Sequence, residues 1–200
     1  TDRRRMQTVM YEILVKLTKL LVPIVPHTSE EIWTYLEQEE EAYAYLTEMP
    51  SADVIPDAAE ILDFWSAFLE FRTGVHKALE MARDEKVIGK SLEASVSVKP
   101  DEVTNALLAR IAQEEDLATL LIVSQFTITA QPLTEKTLTV ADNDILVVHA
   151  TGEVCQRCRR IDETVGTHAN AHYEALCNNC ASIVDQAFPE IATEGFDINA

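Results

Sequence analysis

The 200-residue chain has no apolar run long enough to cross a membrane, which takes about 20 mostly apolar residues. Its best run, Leu20 to Val25, is broken by Pro23. It has no initiator methionine, and the polar, basic start Thr1-Asp2-Arg3-Arg4-Arg5 leads into an amphipathic pattern, not the short apolar core of a secretory signal. A segment belonging to a longer polypeptide is the expectation. Glycine is scarce: the five present are dispersed, so there is no glycine-rich phosphate loop. No other catalytic constellation is visible. Cysteine is confined to two Cys-x-x-Cys pairs, which excludes a disulfide framework and points to metal binding in a reducing compartment, hence the cytoplasm.

Positive charge is also scarce. The formal net charge is −18, which argues against a nucleic-acid partner, because affinity for phosphate comes largely from Lys and Arg. The distribution qualifies the sum. No Lys or Arg occurs between Lys19 and Arg72, a stretch crowded with Asp and Glu. The basic residues gather at Arg3 to Arg5, then at Arg72, Lys77, Arg83, Lys86 and Lys90, then at Arg157, Arg159 and Arg160. Solvated faces of both signs explain this pattern. So does one acidic face turned away from a polyanion and one basic face turned toward it.

With 47% apolar and 25% charged residues, the chain can build a core. Met6, Val9, Met10, Ile13, Leu14, Leu17, Leu20 and Leu21 recur at helical spacing, and Pro23 stops that helix. Thr28 with Glu31 forms a capping-box pattern ahead of Ile32, Trp33 and Leu36; the acidic run Glu37 to Glu41 reads as a helix end or loop. Pro56-Asp57 with Glu60 opens the longest pattern, with Ile61, Trp65, Phe68, Arg72, Val75, Leu79 and Ala82 on one face and Gly89 as its stop. After Lys90 the period changes. Ala94 to Val98 alternates like a strand, residues 101–115 look helical, and Leu120–Thr129 and Leu138–His149 read as strands around a turn at Thr134 and Glu135. A short helix is expected at Ala181–Phe188. The expected fold is mainly α: an antiparallel helical bundle (1–91), a small α/β subdomain (92–150) and a zinc-binding module (151–200).

Cys155-x-x-Cys158 and Cys177-x-x-Cys180 stand eighteen residues apart. Paired knuckles at this spacing suit a structural zinc held by four thiolates at about 2.3 Å. A rubredoxin-type iron site and a redox dithiol are the alternatives. His168 and His172, between the knuckles, are candidate substitute ligands or exposed loop residues. His27, beside Thr28 and Ser29, could pair with a hydroxyl, or could pack or cap. Trp33, Trp65, Phe68 and Phe71 fit core positions or base-stacking platforms.

Three segments carry a family resemblance. Leu20 to Trp33 (LLVPIVPHTSEEIW) resembles the helix junction in the anticodon-binding bundle of class Ia aminoacyl-tRNA synthetases. Ala78 to Ala94 (ALEMARDEKVIGKSLEA) is similar to the isoleucyl-tRNA synthetases in particular. His149 to Cys158 (HATGEVCQRC), with Cys177 to Cys180 (CNNC), resembles the C-terminal zinc finger of the bacterial isoleucine enzymes, a finger related to that of formamidopyrimidine-type DNA glycosylases. Together with the order of elements, the resemblance carried by these segments covers almost the whole chain.

The resemblance implies a C-terminal region whose bundle grips the anticodon arm of tRNA-Ile and whose finger supports tRNA binding. Catalytic and editing domains would lie N-terminal to it. The intact enzyme would use ATP to attach isoleucine to tRNA, and this part alone would not be catalytic. Matched by motif, Cys155, Cys158, Cys177 and Cys180 are the zinc ligands of one structural Zn2+. Arg72, Lys77, Arg83, Lys86, Lys90, Arg157, Arg159 and Arg160 are RNA-contact candidates by charge and position. A monomer without membrane attachment is expected. The family often places Trp after the second cysteine; here Arg159 stands there, so aromatic stacking is lost at that point. The alternatives are the same region of another class Ia synthetase, such as the valine enzyme, or an acidic, zinc-containing protein-interaction module.

Overall fold

A computed structural model describes residues 2–36, 41–52, 54–133, 137–140, 142–188 and 190. Most of the acidic run at 37–41 and the expected turn at Thr134 and Glu135 lie outside these residues. The chain divides into two compact units, Thr1–Pro56 and Asp57–Ala200. About half of it is helical, with a small mixed sheet. Among the described residues no helix is long and apolar enough to cross a membrane.

In the first unit, α1 (Asp2–Leu21) and α2 (Pro26–Thr34) pack together with a 3-10 turn at Ala44–Leu46. Trp33, Leu36 and Ala44 form the small core, with Tyr11, Val15, Val22 and Ile32 against it. The side of α1 turned to this core is therefore not its most apolar one. Thr18 is buried, its hydroxyl donating to the Leu14 carbonyl at 2.7 Å. The expected apolar stripe, Met6, Val9, Met10, Ile13, Leu14, Leu17 and Leu20, is left exposed. The capping box does not form: α2 begins at Pro26, whose fixed φ suits a first helical position, and its N-cap is Val25, without a side-chain bond. Glu30, which is not part of that pattern, accepts from the backbone N–H groups of Ala44 (3.1 Å) and Tyr45 (2.9 Å), tying the turn to α2. The Trp33 indole donates to the Glu41 carbonyl at 2.8 Å.

The second unit opens with α3 (Ala58–Asp84). Phe68, Phe71, Gly74, Val75, Ala78, Leu79 and Ala82 are its buried face, while Ile61, Leu62, Trp65 and Leu69 near its start remain exposed. The helix ends before Gly89. Lys86 takes a left-handed φ of 60°. The Val87 N–H reaches the Ala82 carbonyl (2.9 Å), and the Lys86 N–H reaches that of Arg83 (2.9 Å). These are the two bonds of a Schellman cap. Gly89 serves elsewhere, its N–H donating to the Glu93 carboxylate at 2.7 Å.

The sheet comprises β1 (Ala94–Lys99), β2 (Gln125–Ile128), β3 (Leu138–Val140) and β4 (Asn143–His149), in the order β2-β1-β4-β3. β1 pairs parallel with β2 and antiparallel with β4; β3 pairs antiparallel with β4. A parallel neighbour requires a crossover, supplied by α4 (Glu102–Ile111) and α5 (Leu117–Leu121). Leu117 to Leu121 is therefore helix, where the sequence pattern suggests a strand from Leu120. Asp116 caps α5 by accepting from the Ala118 N–H, and this local bond overrides the β-propensity of the apolar run. Ala94, Val96 and Val98 alternate inward on β1 and share one core with α3, α4 and α5. At Gly74, α3 comes so close to the sheet that a Cβ would stand 3.0 Å from Val140 Cγ1.

The hairpin of β5 (Glu153–Val154) and β6 (Ile161–Asp162) and the helix α6 (Asn178–Ala187) complete the unit. The observed α6 starts three residues before the expected Ala181.

Candidate metal centre and basic face

Cys155 follows β5, and Cys158 lies in the turn before β6. The Arg159 N–H closes that turn on the Cys155 carbonyl at 2.8 Å, and Arg159 takes a left-handed φ of 66°. The Cys155 N–H returns to the Arg160 carbonyl at 2.9 Å. Cys177 is the N-cap of α6 and Cys180 lies in its first turn, where backbone N–H groups and the helix dipole favour negative sulfur. A second support comes from Thr164. Its hydroxyl bonds Asp162 and accepts from the Asn178 N–H at 2.9 Å.

All four sulfurs lie within 4.8 Å of one another. Cys158 Sγ and Cys177 Sγ are 3.9 Å apart, close to the edge of about 3.8 Å that four Zn–S bonds of about 2.3 Å would give a tetrahedron. Cys155, Cys177 and Cys180 are buried, Cys158 is half-buried, and Val165 and Leu176 pack over them. As metal-free thiols, Cys155, Cys158 and Cys177 do not ionise alike. Burial opposes ionisation of Cys155, but N–H groups of Cys158, Cys177 and Arg157 outweigh it and bring its pKa to about 6. Burial, with hydrogen bonds to Cys180 and Cys155, pushes Cys177 up to about 12. Burial raises Cys158 as well. A dication would remove this conflict by accepting all four as thiolates. The donor set, its spacing and its closure fit a four-coordinate structural ion with no open position. Arg157 adds a cation beside the sulfurs, its guanidinium 3.5 Å from Cys180 Sγ.

The histidines are elsewhere. His168 Nε2 lies 2.9 Å from the Leu176 carbonyl, which can only accept, so that nitrogen carries the proton. Its ring meets Tyr173 edge-on. His172 is exposed, and no histidine joins the cysteine group among the described residues. His27 is exposed in the first turn of α2. Trp33, Phe68 and Phe71 are core, and Trp65 is partly exposed between Phe64 and Phe68.

Among the basic candidates, Arg72 and Arg83 fall on one face of α3, eleven residues apart by number, and His76 falls between them on the same side. Burial first, then Arg72 and Arg83, lower the His76 pKa against the pull of Glu80. Sequence reasoning missed His76; its helical spacing from Arg72 was the available signal. Arg72 Nε is buried without a hydrogen-bond partner among the described residues, and Arg83 donates to the Ser91 hydroxyl. Lys77, Lys86 and Lys90 are exposed, and Lys77 points away from the Arg72 side. In the finger, Arg159 is exposed and holds Gln156 Oε1 at 2.8 Å. Arg160 is engaged differently. It is half-buried and ion-paired with Asp116 at 2.9 Å.

Two family models match the chain: an anticodon-binding domain of tRNA ligase over residues 1–98, and a zinc finger found in FPG and IleRS over residues 152–183. An isoleucine–tRNA ligase from Lactococcus lactis is 55% identical over 199 residues, 98% of this chain. Over almost its whole length the chain is similar to the C-terminal region of isoleucine–tRNA ligases. Further ligases of this name, from Streptococcus sanguinis (53% identical over 99% of the chain) and Streptococcus mutans (52% over 98%), agree with that placement. The chain spans about a fifth of the length of these ligases, 21% of the first, and corresponds to their C-terminal region. Neither a valine-type synthetase nor a protein-interaction module is favoured.

Proposed function

We propose that this chain is the part of an isoleucine–tRNA ligase that holds the anticodon arm of tRNA-Ile, while domains N-terminal to it attach isoleucine using ATP. The observation that carries this reading is the anticodon-binding match over residues 1–98 joined in one chain to a four-sulfur cluster in the matched zinc finger. One structural Zn2+ on Cys155, Cys158, Cys177 and Cys180 would hold the finger closed. It supplies no catalysis, since four protein ligands leave no site for water. Phosphate contacts would fall to Arg72, Lys77, Arg83, Lys86 and Lys90 and to the finger arginines Arg157 and Arg159, with Arg160 contributing through its charge. Phosphate contacts position the stem, and polar groups read splayed loop bases. The exposed apolar stripe of α1 and the exposed start of α3 support the further proposal that α1, α2 and α3 belong to an antiparallel bundle of the class Ia type. The ligase would be a cytoplasmic monomer.

The test is direct binding of tRNA-Ile and tRNA-Val to this chain at low salt. A preference for tRNA-Ile is expected. About four phosphate contacts would give a slope near −3 for log affinity against log salt, at roughly 0.7 to 0.9 per contact. Equal, salt-insensitive binding of both tRNAs, or none of either, refutes the reading.

A further inference from the structure

The zinc module does not hang from the sheet by its linker alone. Arg160 joins the two. Its backbone carbonyl accepts the Cys155 N–H, bracing the knuckle that carries two cysteines. Its guanidinium crosses to the α/β layer. Nη1 donates to Asp116 Oδ2 (2.9 Å) and Thr119 Oγ1 (3.2 Å), and Nη2 donates to the Ser124 carbonyl (3.2 Å). Beside it, the Ile161 N–H donates to the Ser124 hydroxyl at 2.7 Å, and that hydroxyl donates onward to the Leu92 carbonyl at 2.6 Å. Gln125 adds contacts with the Thr151 backbone.

From this geometry we propose that Arg160 is a positioning residue, which locks the zinc module to the α/β layer in one orientation so that its exposed arginines meet RNA as a rigid extension of the layer. The positional half of this claim stands on the seam itself; the RNA half rests on the tRNA-binding reading above. An ion pair this exposed contributes little alone. The planar fork is what matters, because its two terminal nitrogens reach α5 with its cap (Asp116, Thr119) and the Ser124 carbonyl just before β2 at once, which the single nitrogen of a lysine cannot do in a fixed geometry. Arg160 is thus separated in role from Arg159 one residue earlier, whose side chain faces solvent and bonds Gln156 within its own turn.

The experiment uses the full 200-residue chain loaded with zinc, as parent, Arg160→Ala, Arg160→Lys and Asp116→Asn. Asn still caps α5, and Asp116→Asn leaves the finger sequence untouched. Zinc content is measured first and is expected to stay at the parent value. Residual dipolar couplings are then collected for amides 94–128 and 153–183. The parent should fit one alignment tensor across both segments. Arg160→Ala should require two, and Arg160→Lys and Asp116→Asn should show partial decoupling. Affinity for tRNA-Ile should fall roughly three- to tenfold in Arg160→Ala, the size expected when a preorganised surface becomes mobile. A single tensor in both Arg160→Ala and Asp116→Asn overturns the proposal. Should Arg160→Ala lose zinc, Asp116→Asn decides alone. Split tensors in the variants of a chain whose parent ignores tRNA would uphold the lock and overturn its use in RNA binding.

Discussion

Lys86 offers a clean perturbation, because its backbone and its side chain make separate predictions. It sits at the left-handed position of the Schellman cap that ends α3, at φ 60°. For an L-residue that conformation costs roughly 1–2 kcal/mol, which glycine avoids. Glycine loses about 0.5–1 kcal/mol more backbone entropy on folding. Lys86→Gly should therefore stabilise the second unit by about 0.5–1 kcal/mol. Lys86→Ala keeps the strain and removes only the charge, so it should be near neutral. The assay is native-state hydrogen exchange at Val75, Ala78 and Leu79, whose amides lie in the buried part of α3. Their exchange should slow by roughly two- to fivefold in Lys86→Gly and hold steady in Lys86→Ala. If Lys86 also touches phosphate, both variants should flatten the salt dependence of tRNA binding by about one contact. Faster exchange in Lys86→Gly would refute the cap assignment, and equal exchange in the two variants would show that no strain is stored there.

Further outcomes follow from the core, the metal and the charges. Leu79→Ala, at a position 2% exposed, should cost about 2–5 kcal/mol, seen as a lower denaturation midpoint for the second unit. The chain should carry one zinc by elemental analysis, and chelation should broaden the amide signals of residues 152–188 while those of α1 and α3 persist. Arg159→Ala should weaken tRNA-Ile binding and Arg159→Trp should retain part of it, since a base stacked on one side chain is worth about 1–3 kcal/mol; parent-like binding by both would show that the finger makes no contact there. Glu93 accepts from the N–H groups of Gly89 and Lys90, which hold its carboxyl below the ordinary 4.5. The stability it lends is complete above that value and is lost as pH falls through the depressed one. Glu93→Gln should remove this acid-side component, read as the pH dependence of exchange at the Gly89 and Lys90 amides.

Much of the second unit was legible from periodicity and spacing. The alternation Ala94-Ser95-Val96-Ser97-Val98 states which face of β1 is buried, and the two Cys-x-x-Cys pairs state which four sulfurs come together. The errors share a cause: local hydrogen bonds that outcompete pattern. Asp116 turned Leu117 to Leu121 into helix. Pro26 displaced the capping box of Thr28 and Glu31 by starting α2 ahead of it. Lys86 ended α3 where Gly89 was the expected stop. The role of Arg160 was invisible for another reason. Charge and position make it look like Arg159, and only the fold brings Asp116, forty-four residues away, within reach.

The close approach at Gly74 has a mechanical consequence. At about 1.5 Å per residue, the 27 residues of α3 form a rod of roughly 40 Å. The ten residues beyond Gly74 lie along the core, as do Phe68 and Phe71 just before it, while Ile61, Leu62 and Trp65 are exposed. Such a rod behaves as a cantilever with its fulcrum at the Gly74–Val140 contact. A push on the Ile61 end would arrive there as torque, and an alanine methyl at 74, wedged against Val140 at 3.0 Å, would tilt the free end by lifting the fulcrum.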